Sequence, residues 1–334
     1  MQAIVFDRTV RFDTHHPEPV PKDGECLLRV HMAGICATDL HIMDGYMGFS
    51  GILGHEFVGT VAAGPDEWRG KRVVSEINCV CRKCDMCLSG LAAHCVNRTV
   101  IGISGRDGCF AELIAVPLRN LHAVPDRITN EQAVFIEPLA AAYQVLVQCK
   151  IEPRMTVTVV GAGRLGLLVA QVVKATGCRL TVVDRNRDKL ELAEKHGIQS
   201  IHVDDVIGRA DRDVVVECSG SAAGLEIAMG LLRPRGTLVL KSTYAPSSAK
   251  SNAQASAQSN EGALPNLAPI VINELHVIGS RCGPFPEAIN ALTREAVEVR
   301  SMISATFPLA RGLDALEAAK DPQRVKVLIT MNPR

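Results

Sequence analysis

Three side chains in the first part of the chain have the chemistry of metal ligands. Cys36 offers a soft thiolate, His55 an imidazole, and Glu56 a carboxylate as a candidate third ligand. Zinc binds all three groups, and a catalytic zinc keeps one coordination position free of protein. Too few ligands lie in this stretch to close a tetrahedron. We therefore predict an open zinc site, against the alternative that Cys36 is a buried free thiol and His55 a hydrogen-bonded core residue.

A second group of ligands consists of cysteines alone and lies on one predicted loop. Four closely spaced thiols can wrap a tetrahedral ion, so the loop predicts a closed, structural zinc site. The four positions are Cys81, Cys84, Cys87 and Cys95. A zinc knuckle that binds nucleic acid is the competing interpretation, but the loop has no aromatic residues on which bases could stack.

Glu137 is a carboxylate amid apolar neighbours, in a predicted helical segment over 131–147 that is interrupted at Pro138. Burying an unpaired carboxylate is costly, and a nearby cation would remove that cost. We predict that Glu137 faces the metal of Cys36 and His55, as a ligand or through a ligand. Capping a helix or pairing with an arginine is the alternative.

A glycine-rich turn follows a predicted buried strand at 155–160 and precedes a predicted helix at 167–174. In this setting glycines permit a tight turn and let a pyrophosphate approach the helix N-terminus, which predicts a dinucleotide site. The turn contains Gly161, Gly163, Arg164, Leu165 and Gly166.

The next predicted strand ends at Asp184, which bears on the choice of dinucleotide. Its carboxylate could accept hydrogen bonds from the adenosine ribose and repel a 2′-phosphate, so it favours NAD. Arg185 and Arg187 follow directly and could serve a phosphate if Asp184 points away. NADP therefore stays open as the less favoured cofactor.

Strands and helices continue to alternate beyond this point, with strands predicted at 213–218, 236–240 and 275–280. This pattern is typical of an α/β fold with a doubly wound parallel sheet, whose ligands bind beyond the carboxyl ends of the strands. Ser219 directly follows a predicted strand and is expected to border the cofactor. The stretch 244–265 is rich in Ser, Ala, Asn and Gln and predicts a mobile surface loop.

The first third of the chain has a different pattern. Short alternating apolar runs, broken by Gly, Pro and Asp, extend to about Leu121 and predict a β-rich, barrel-like domain. A closing strand at 325–329 is expected to return to this domain. The length of 334 residues also predicts two domains.

Composition narrows the class of partner and the compartment. The 36 basic residues balance the 36 acidic ones, which leaves no electrostatic footprint for nucleic acid or an anionic membrane and favours a small-molecule site. The first residues read as a strand rather than a signal peptide, and no apolar run reaches the roughly 18 residues of a membrane helix. Clustered cysteines among the 12 in the chain indicate metal binding in a reducing compartment. We expect a cytoplasmic protein.

Taken together and in this order, these motifs resemble the zinc-containing medium-chain dehydrogenases, the family of alcohol, polyol and threonine dehydrogenases. The resemblance implies a GroES-like β-barrel catalytic domain at 1–140 and 286–334, with a structural zinc lobe at about 79–97. It implies a Rossmann NAD-binding domain at 141–285. It also implies a homodimer or homotetramer.

The resemblance assigns roles to further residues. Thr38 resembles the hydroxyl that takes the substrate proton, His41 the residue that releases it to solvent, and Asp39 the carboxylate that orients the histidine ligand. Lys326 matches a basic position near the cofactor pyrophosphate, and Arg281 lies on the strand that lines the nicotinamide side. Members of the family differ over whether the third zinc ligand corresponds to Glu56 or to Glu137, so both stay open here.

These assignments imply reversible oxidation of a secondary alcohol, polyol or amino alcohol, with hydride transfer to NAD(P)+ and with one catalytic and one structural zinc per chain. A zinc-independent quinone or enoyl reductase of the same fold is one alternative, and a non-enzymatic nucleotide-binding protein is another. The substrate pocket is expected near Tyr46, Met47, Phe49 and Arg106, whose mutual positions the sequence does not fix.

Overall fold

The computed structural model describes residues 1–206, 210–243 and 266–331. The predicted surface loop at 244–265 lies outside the described residues. Within the described ranges, none of the helices combines the length and the apolar character required to cross a bilayer.

The chain forms two compact units. The first contains Met1–Glu137 and the described residues from Phe285 onward, and the second contains the described residues between Pro138 and Pro284.

The first unit is built largely from antiparallel strands, as its alternating apolar pattern predicts. In β3, for example, Cys26, Leu28 and Val30 are buried, while Leu27 is half-buried and Arg29 exposed. The strands up to residue 123 are β1 Ala3–Asp7, β2 Thr9–Asp13, β3 Glu25–Gly34, β4 Gly51–Ile52, β5 Glu56–Ala63, β6 Arg72–Ser75, β7 Asn78–Cys79, β8 Thr99–Val100, β9 Leu113–Pro117 and β10 Leu121–Ala123.

The register of β3 is what brings distant parts of the first unit together. It pairs with β5 on one side, where Gly34 lies opposite Glu56. It also pairs with β9 over residues 25–29. The carboxyl end of β3 therefore lies beside the start of β5. The two segments of the predicted open zinc site, Cys36 and His55–Glu56, lie at these two strand ends.

The helices of this part of the chain are short apart from one. They are α1 Ala37–Met43, α2 Asp85–Leu88, α3 Asn130–Ala133 and α4 Ile136–Gln148. The predicted interruption at Pro138 is wrong, because α4 runs through it and the break falls between α3 and α4. Pro138 lies in the first turn of α4, where backbone N–H groups have no partner within the helix and a proline is tolerated.

The second unit has the predicted α/β fold. Its strands are β11 Thr156–Val160, β12 Arg179–Asp184, β13 Gln199–His202, β14 Arg212–Glu217, β15 Leu232–Leu240 and β16 His276–Gly279. Its helices after α4 are α5 Arg164–Lys174, α6 Arg187–Lys195, α7 Ala222–Leu231 and α8 Ala268–Ile272. The strands are all parallel, in the order β13-β12-β11-β14-β15-β16. The chain order reverses between β11 and β14, the point at which such sheets bind ligands beyond their carboxyl ends.

The last part of the chain rejoins the first unit, as predicted. It contains α9 Phe285–Thr293, β17 Ile303–Pro308, α10 Gly312–Ala318 and β18 Lys326–Thr330. β18 pairs antiparallel with β3, so that Leu328 lies opposite Gly34. This pairing places Lys326, at the start of β18, close to the same end of β3.

Candidate active site and metal centres

The ends of β3 and β5 bring three predicted zinc ligands together. Donor atoms of Cys36, His55 and Glu56 all lie within 4.8 Å of one another. Cys36 is the residue before α1, while His55 and Glu56 stand at the start of β5, and all but Cys36 are buried. The cluster is thus fixed by strand pairing rather than by a flexible loop.

The Asp39 carboxylate contacts both Cys36 and His55. Its Oδ2 atom accepts a hydrogen bond from the Cys36 backbone N–H at 2.7 Å. Its Oδ1 atom lies 3.2 Å from His55 Nδ1. Asp39 is completely buried, so its charge acts on His55 without screening by water.

The environment of His55 favours an imidazole held in one orientation. Burial acts to lower the pKa of His55, but the Asp39 carboxylate and the Cys36 thiolate outweigh it and raise that pKa well above its usual range. Because Nδ1 faces Asp39, Nε2 is the nitrogen left for a metal. A carboxylate behind a histidine ligand fixes the ring tautomer in this way at many zinc sites.

The donor set fits a zinc ion. One ion with bonds of about 2.0–2.3 Å can bridge donors separated by somewhat more than 4 Å with small shifts. A thiol, an imidazole and a carboxylate at such separations, two of them buried, match that requirement. Three protein ligands also leave a fourth tetrahedral position for another molecule, as in catalytic zinc sites.

The Glu56 carboxylate is not free of protein partners. The buried ammonium of Lys326 donates to Glu56 Oε2 and lies 3.4 Å from the Ile35 carbonyl oxygen. Lys326 Nζ also lies 5.7 Å from the centre of the Phe135 ring. A Cβ atom at Gly34 would come within 2.7 Å of both members of the pair, so this position requires a glycine.

This ion pair gives Lys326 a neighbour that the sequence did not indicate. Lys326 is 1% exposed, and its observed partner is Glu56. A contact with the cofactor pyrophosphate stays a prediction. Among the described residues, the cluster of donor atoms around Cys36 contains Glu56 but not Glu137. Glu137 is half-buried at the start of α4.

Thr38 and His41 lie on α1, three residues apart and therefore on one face of the helix. Thr38 Oγ1 lies 3.7 Å from Cys36 Sγ, and Thr38 is half-buried. His41 is exposed to solvent. The helix thus leads from the candidate metal site to water.

The four cysteines of the second predicted zinc site also converge. All four Sγ atoms lie within 4.8 Å of one another, with 3.4 Å between Cys81 and Cys95 and 3.7 Å between Cys84 and Cys95. Four sulfurs around one zinc at about 2.3 Å are separated by about 3.8 Å, so the arrangement fits a tetrahedral ion. The Lys83 backbone N–H lowers the pKa of Cys81 to about 6, which favours the thiolate that zinc requires.

In the second unit, the glycine-rich turn joins β11 to α5. Gly161 has a φ of +101°, and a Cβ atom there would lie 2.7 Å from the Ser219 backbone nitrogen. A Cβ atom at Gly166 would lie 1.8 Å from the Gly161 carbonyl oxygen, so the helix packs against the turn only with glycine there. At Gly163 a Cβ atom would meet nothing described within 4 Å, which leaves open space before the α5 N-terminus.

The other predicted cofactor residues surround this turn or follow nearby strands. Arg164 and Leu165 open α5. Asp184 Oδ2 accepts a hydrogen bond of 2.6 Å from the Ala162 backbone N–H. Arg185 is exposed, and Arg281 is exposed just beyond β16. Ser219 is exposed, and its hydroxyl donates to Glu217 at 2.5 Å.

The residues expected near the substrate pocket have different environments. Met47 is 57% exposed and has a φ of +64°, whereas Phe49 is buried. Arg106 is half-buried, and its guanidinium donates to Glu25 at 2.7 Å, to Thr99 at 3.3 Å and to the Ala115 carbonyl at 3.2 Å. Its role in the structure is to bind strands together.

Sequence reasoning missed two polar contacts at these sites. The pairing of Lys326 with Glu56 joins residues 270 positions apart. Glu217, at the end of β14, is completely buried and binds the turn that follows it. The position of Glu217 in an apolar strand could have indicated a buried carboxylate with a structural role. The partner of Lys326 can be identified only from the strand pairing.

Two protein-family models match this chain. An alcohol dehydrogenase GroES-like domain matches residues 22–126, and a zinc-binding dehydrogenase domain matches residues 165–298. An erythritol/L-threitol dehydrogenase of Mycolicibacterium smegmatis is 30% identical, with 93% of this chain and 92% of the relative covered.

Two solved structures share the fold along nearly the whole chain. An alcohol dehydrogenase of Escherichia coli CFT073, in complex with NADH, is 26% identical with a TM-score of 0.85 and 99% of each chain covered. A zinc-binding dehydrogenase of Sinorhizobium meliloti 1021, bound to NADP, is 28% identical with a TM-score of 0.81 and 98% of each chain covered. With its two matched domains and full-length relatives, the chain belongs to the family of zinc-containing medium-chain alcohol and polyol dehydrogenases, oxidoreductases that interconvert alcohols and carbonyls with NAD(P).

Proposed function

We propose that this chain is a zinc-dependent polyol dehydrogenase that uses NAD+. The observation that carries the proposal is the buried cluster of Cys36, His55 and Glu56 with Asp39 behind two of its members. A reductase that works without zinc has no use for three clustered ligands and a carboxylate that orients one of them. The polyol class follows from the similarity to an erythritol/L-threitol dehydrogenase.

Cys36, His55 and Glu56 would hold the catalytic ion, which as a Lewis acid lowers the pKa of an alcohol. Lys326 takes one oxygen of Glu56, and a carboxylate has a second oxygen for an ion. Glu137 is the alternative carboxylate, as a ligand or as the acceptor of a water in the fourth position. Asp39 keeps His55 in the tautomer that presents Nε2.

The proton released from the alcohol would pass first to Thr38 and then reach solvent at His41. A threonine hydroxyl can accept and donate at the same time, so Thr38 can relay a proton without changing its charge. His41 is exposed, and a ring nitrogen of its imidazole can accept that proton and deliver it to water. Both residues lie on α1, so the relay shares its support with Cys36.

The nucleotide site would be formed by Gly161, Gly163 and the N-terminus of α5, with Arg164, Leu165 and Gly166 in the same turn. Backbone N–H groups at a helix N-terminus bind phosphate well. The half-buried carboxylate of Asp184 supports NAD over NADP, because a 2′-phosphate beside it would be repelled. Arg185 would face the adenosine end of the cofactor, and Lys326 would lie near its pyrophosphate. Arg281 would lie on the nicotinamide side, and Ser219 would border the cofactor.

Cys81, Cys84, Cys87 and Cys95 would hold the second, structural zinc.

We propose that the catalytic domain comprises residues 1–140 and 286–334 and that the nucleotide-binding domain comprises residues 141–285. We infer a cytoplasmic protein, because thiols that bind zinc must stay reduced. We further infer a homodimer or homotetramer, with the edge strand β16 and apolar side chains such as Val271, 80% exposed, as a surface for another copy.

A panel of polyols, amino alcohols and simple alcohols tests this function, with NAD+ or NADP+ and absorbance at the wavelength of reduced nicotinamide. We expect turnover of at least one polyol, preference for NAD+, and two zinc ions per chain by elemental analysis. Cys36→Ala should lose the catalytic ion and turnover but retain NADH binding. Wild-type turnover in a variant shown to hold one zinc would rule out the proposal.

A further inference from the structure

One fully buried carboxylate of the second unit has no part in the proposed chemistry. Glu217 is the last residue of β14, and its exposed fraction is 0%. In the sheet it lies opposite Val160, the last residue of β11. The glycine-rich turn begins at the next residue, Gly161. Glu217 therefore lies at the edge of the sheet where the nucleotide is expected.

The Glu217 carboxylate binds the turn that follows its own strand. Oε1 accepts hydrogen bonds from the Ser219 backbone N–H at 2.6 Å, from the Ser219 hydroxyl at 2.5 Å and from the Gly220 backbone N–H at 3.2 Å. Three donors on one oxygen hold this short turn in a single shape, with Gly220 at a φ of +69°. Hydrogen bonds to a buried charged group are among the stronger ones in proteins.

This turn packs directly against the glycine-rich turn. The Ser219 backbone nitrogen occupies the space that a Cβ atom at Gly161 would need, at 2.7 Å from it. The Ser219 hydroxyl lies 3.1 Å from the Ser221 hydroxyl, and a Cβ atom at Gly224 would come within 1.9 Å of it. A displacement of the Ser219 backbone would therefore move Gly161 or collide with α7.

We propose that Glu217 is a positioning residue for the nucleotide site: its carboxylate fixes the Ser219–Gly220 turn, and that turn fixes Gly161. The inference rests on the proposed binding of NAD to the glycine-rich turn. Glu217 accepts its hydrogen bonds from Ser219 and Gly220, so its role would be exerted through that turn. Its loss should weaken cofactor binding much more than it slows turnover at saturating cofactor.

Three substitutions separate the reach of the side chain from its charge. Glu217→Ala removes the acceptor, and Glu217→Asp keeps the charge but draws it back by one methylene. Glu217→Gln keeps the acceptor at the same reach, and its amide NH2 replaces Oε2, which is buried without a hydrogen-bond donor among the described residues. Val215→Ala is the matched control, because Val215 is a buried residue on the same face of β14, two positions earlier.

The readouts are the Kd for NADH from fluorescence titration, kcat at saturating NAD+, zinc content and Tm. We expect the alanine and aspartate variants to raise Kd roughly tenfold, which corresponds to the loss of one or two such hydrogen bonds. The glutamine variant should recover Kd to within about threefold of wild type. Val215→Ala should lower Tm without raising Kd, and kcat should change by less than about threefold throughout.

An unchanged Kd in Glu217→Asp, or an equal rise in Kd in Val215→Ala at a similar loss of Tm, would overturn the positioning role. If Glu217→Ala does not fold, the aspartate and glutamine pair still decides the question. Wild-type protein that binds neither NADH nor NADPH would instead refute the proposed function itself. If the wild type binds NADH and the Glu217 variants bind it with an unchanged Kd, only the positioning role is refuted.

Discussion

The position of Asp39 leads to a sharp expectation for the substitution Asp39→Asn. The carboxamide has the same shape, and its oxygen can still accept from the Cys36 N–H, now 2.7 Å from Oδ2. Its NH2 group would then face His55 Nδ1, at the place where Oδ1 now lies 3.2 Å away. An NH2 donor requires Nδ1 to be an acceptor, which puts the ring proton on Nε2 and blocks the nitrogen that a metal needs.

The size of the effect follows from the single interaction that the substitution removes, between His55 Nδ1 and the buried Asp39 carboxylate. The two atoms form a close ion pair without hydrogen-bond geometry, so the roughly 3 kcal/mol of a strong hydrogen bond to a charged group is the upper bound on its contribution. This bound corresponds to a decrease of roughly 150-fold in zinc affinity at the Cys36 site. Substitution of a group that contacts a metal ligand typically costs about 10- to 100-fold, which lies below this bound.

Chelator competition, with zinc counted by elemental analysis, measures this affinity. The four-cysteine site serves as an internal reference, because its zinc should stay bound in the variant. Asp44→Asn is the matched control: Asp44 follows the last residue of α1, is exposed, and should leave both sites unchanged. If Asp39→Asn bound zinc at the Cys36 site within twofold of wild type, the tautomer argument would be wrong.

Three further predictions concern stability and cofactor binding. Arg106→Lys should lower the free energy of unfolding by about 2 kcal/mol in denaturant titration, with substrate preference unchanged, because lysine cannot reproduce three guanidinium contacts. Gly166→Ala should abolish NADH binding by calorimetry, since its Cβ atom would lie 1.8 Å from the Gly161 carbonyl oxygen. Asp213→Asn should destabilise the second unit by about 1.5 kcal/mol, because the Asp213 carboxylate accepts a hydrogen bond from the Thr156 backbone N–H at 2.6 Å. Burial acts to raise the pKa of Asp213, but the Thr156 hydrogen bonds and nearby arginines lower that pKa overall. Wild type should therefore keep this advantage in Tm from about pH 8 to about pH 5, and lose it as the pH falls below about 4 through the folded-state pKa.

The sites whose geometry is local could be predicted from the residue pattern alone. Four cysteines within 15 residues can reach one ion whatever surrounds them, and the structure brings their sulfurs together. The glycine-rich turn between β11 and α5 likewise follows from backbone constraints within six residues, since Gly161 has a φ of +101° and a Cβ atom at Gly166 would lie 1.8 Å from the Gly161 carbonyl oxygen. The alternation of strands and helices also predicted the parallel sheet.

The contacts that depend on strand register could not be predicted from the residue pattern. Gly34 lies opposite Glu56 on one side and opposite Leu328 on the other, and only these pairings bring Lys326 to the Glu56 carboxylate. The packing of the Ser219 backbone against Gly161 depends in the same way on the pairing of β14 with β11. A pattern of residue types states which face of a strand is buried, but a buried polar group finds its partner across the sheet, and that choice requires the complete fold.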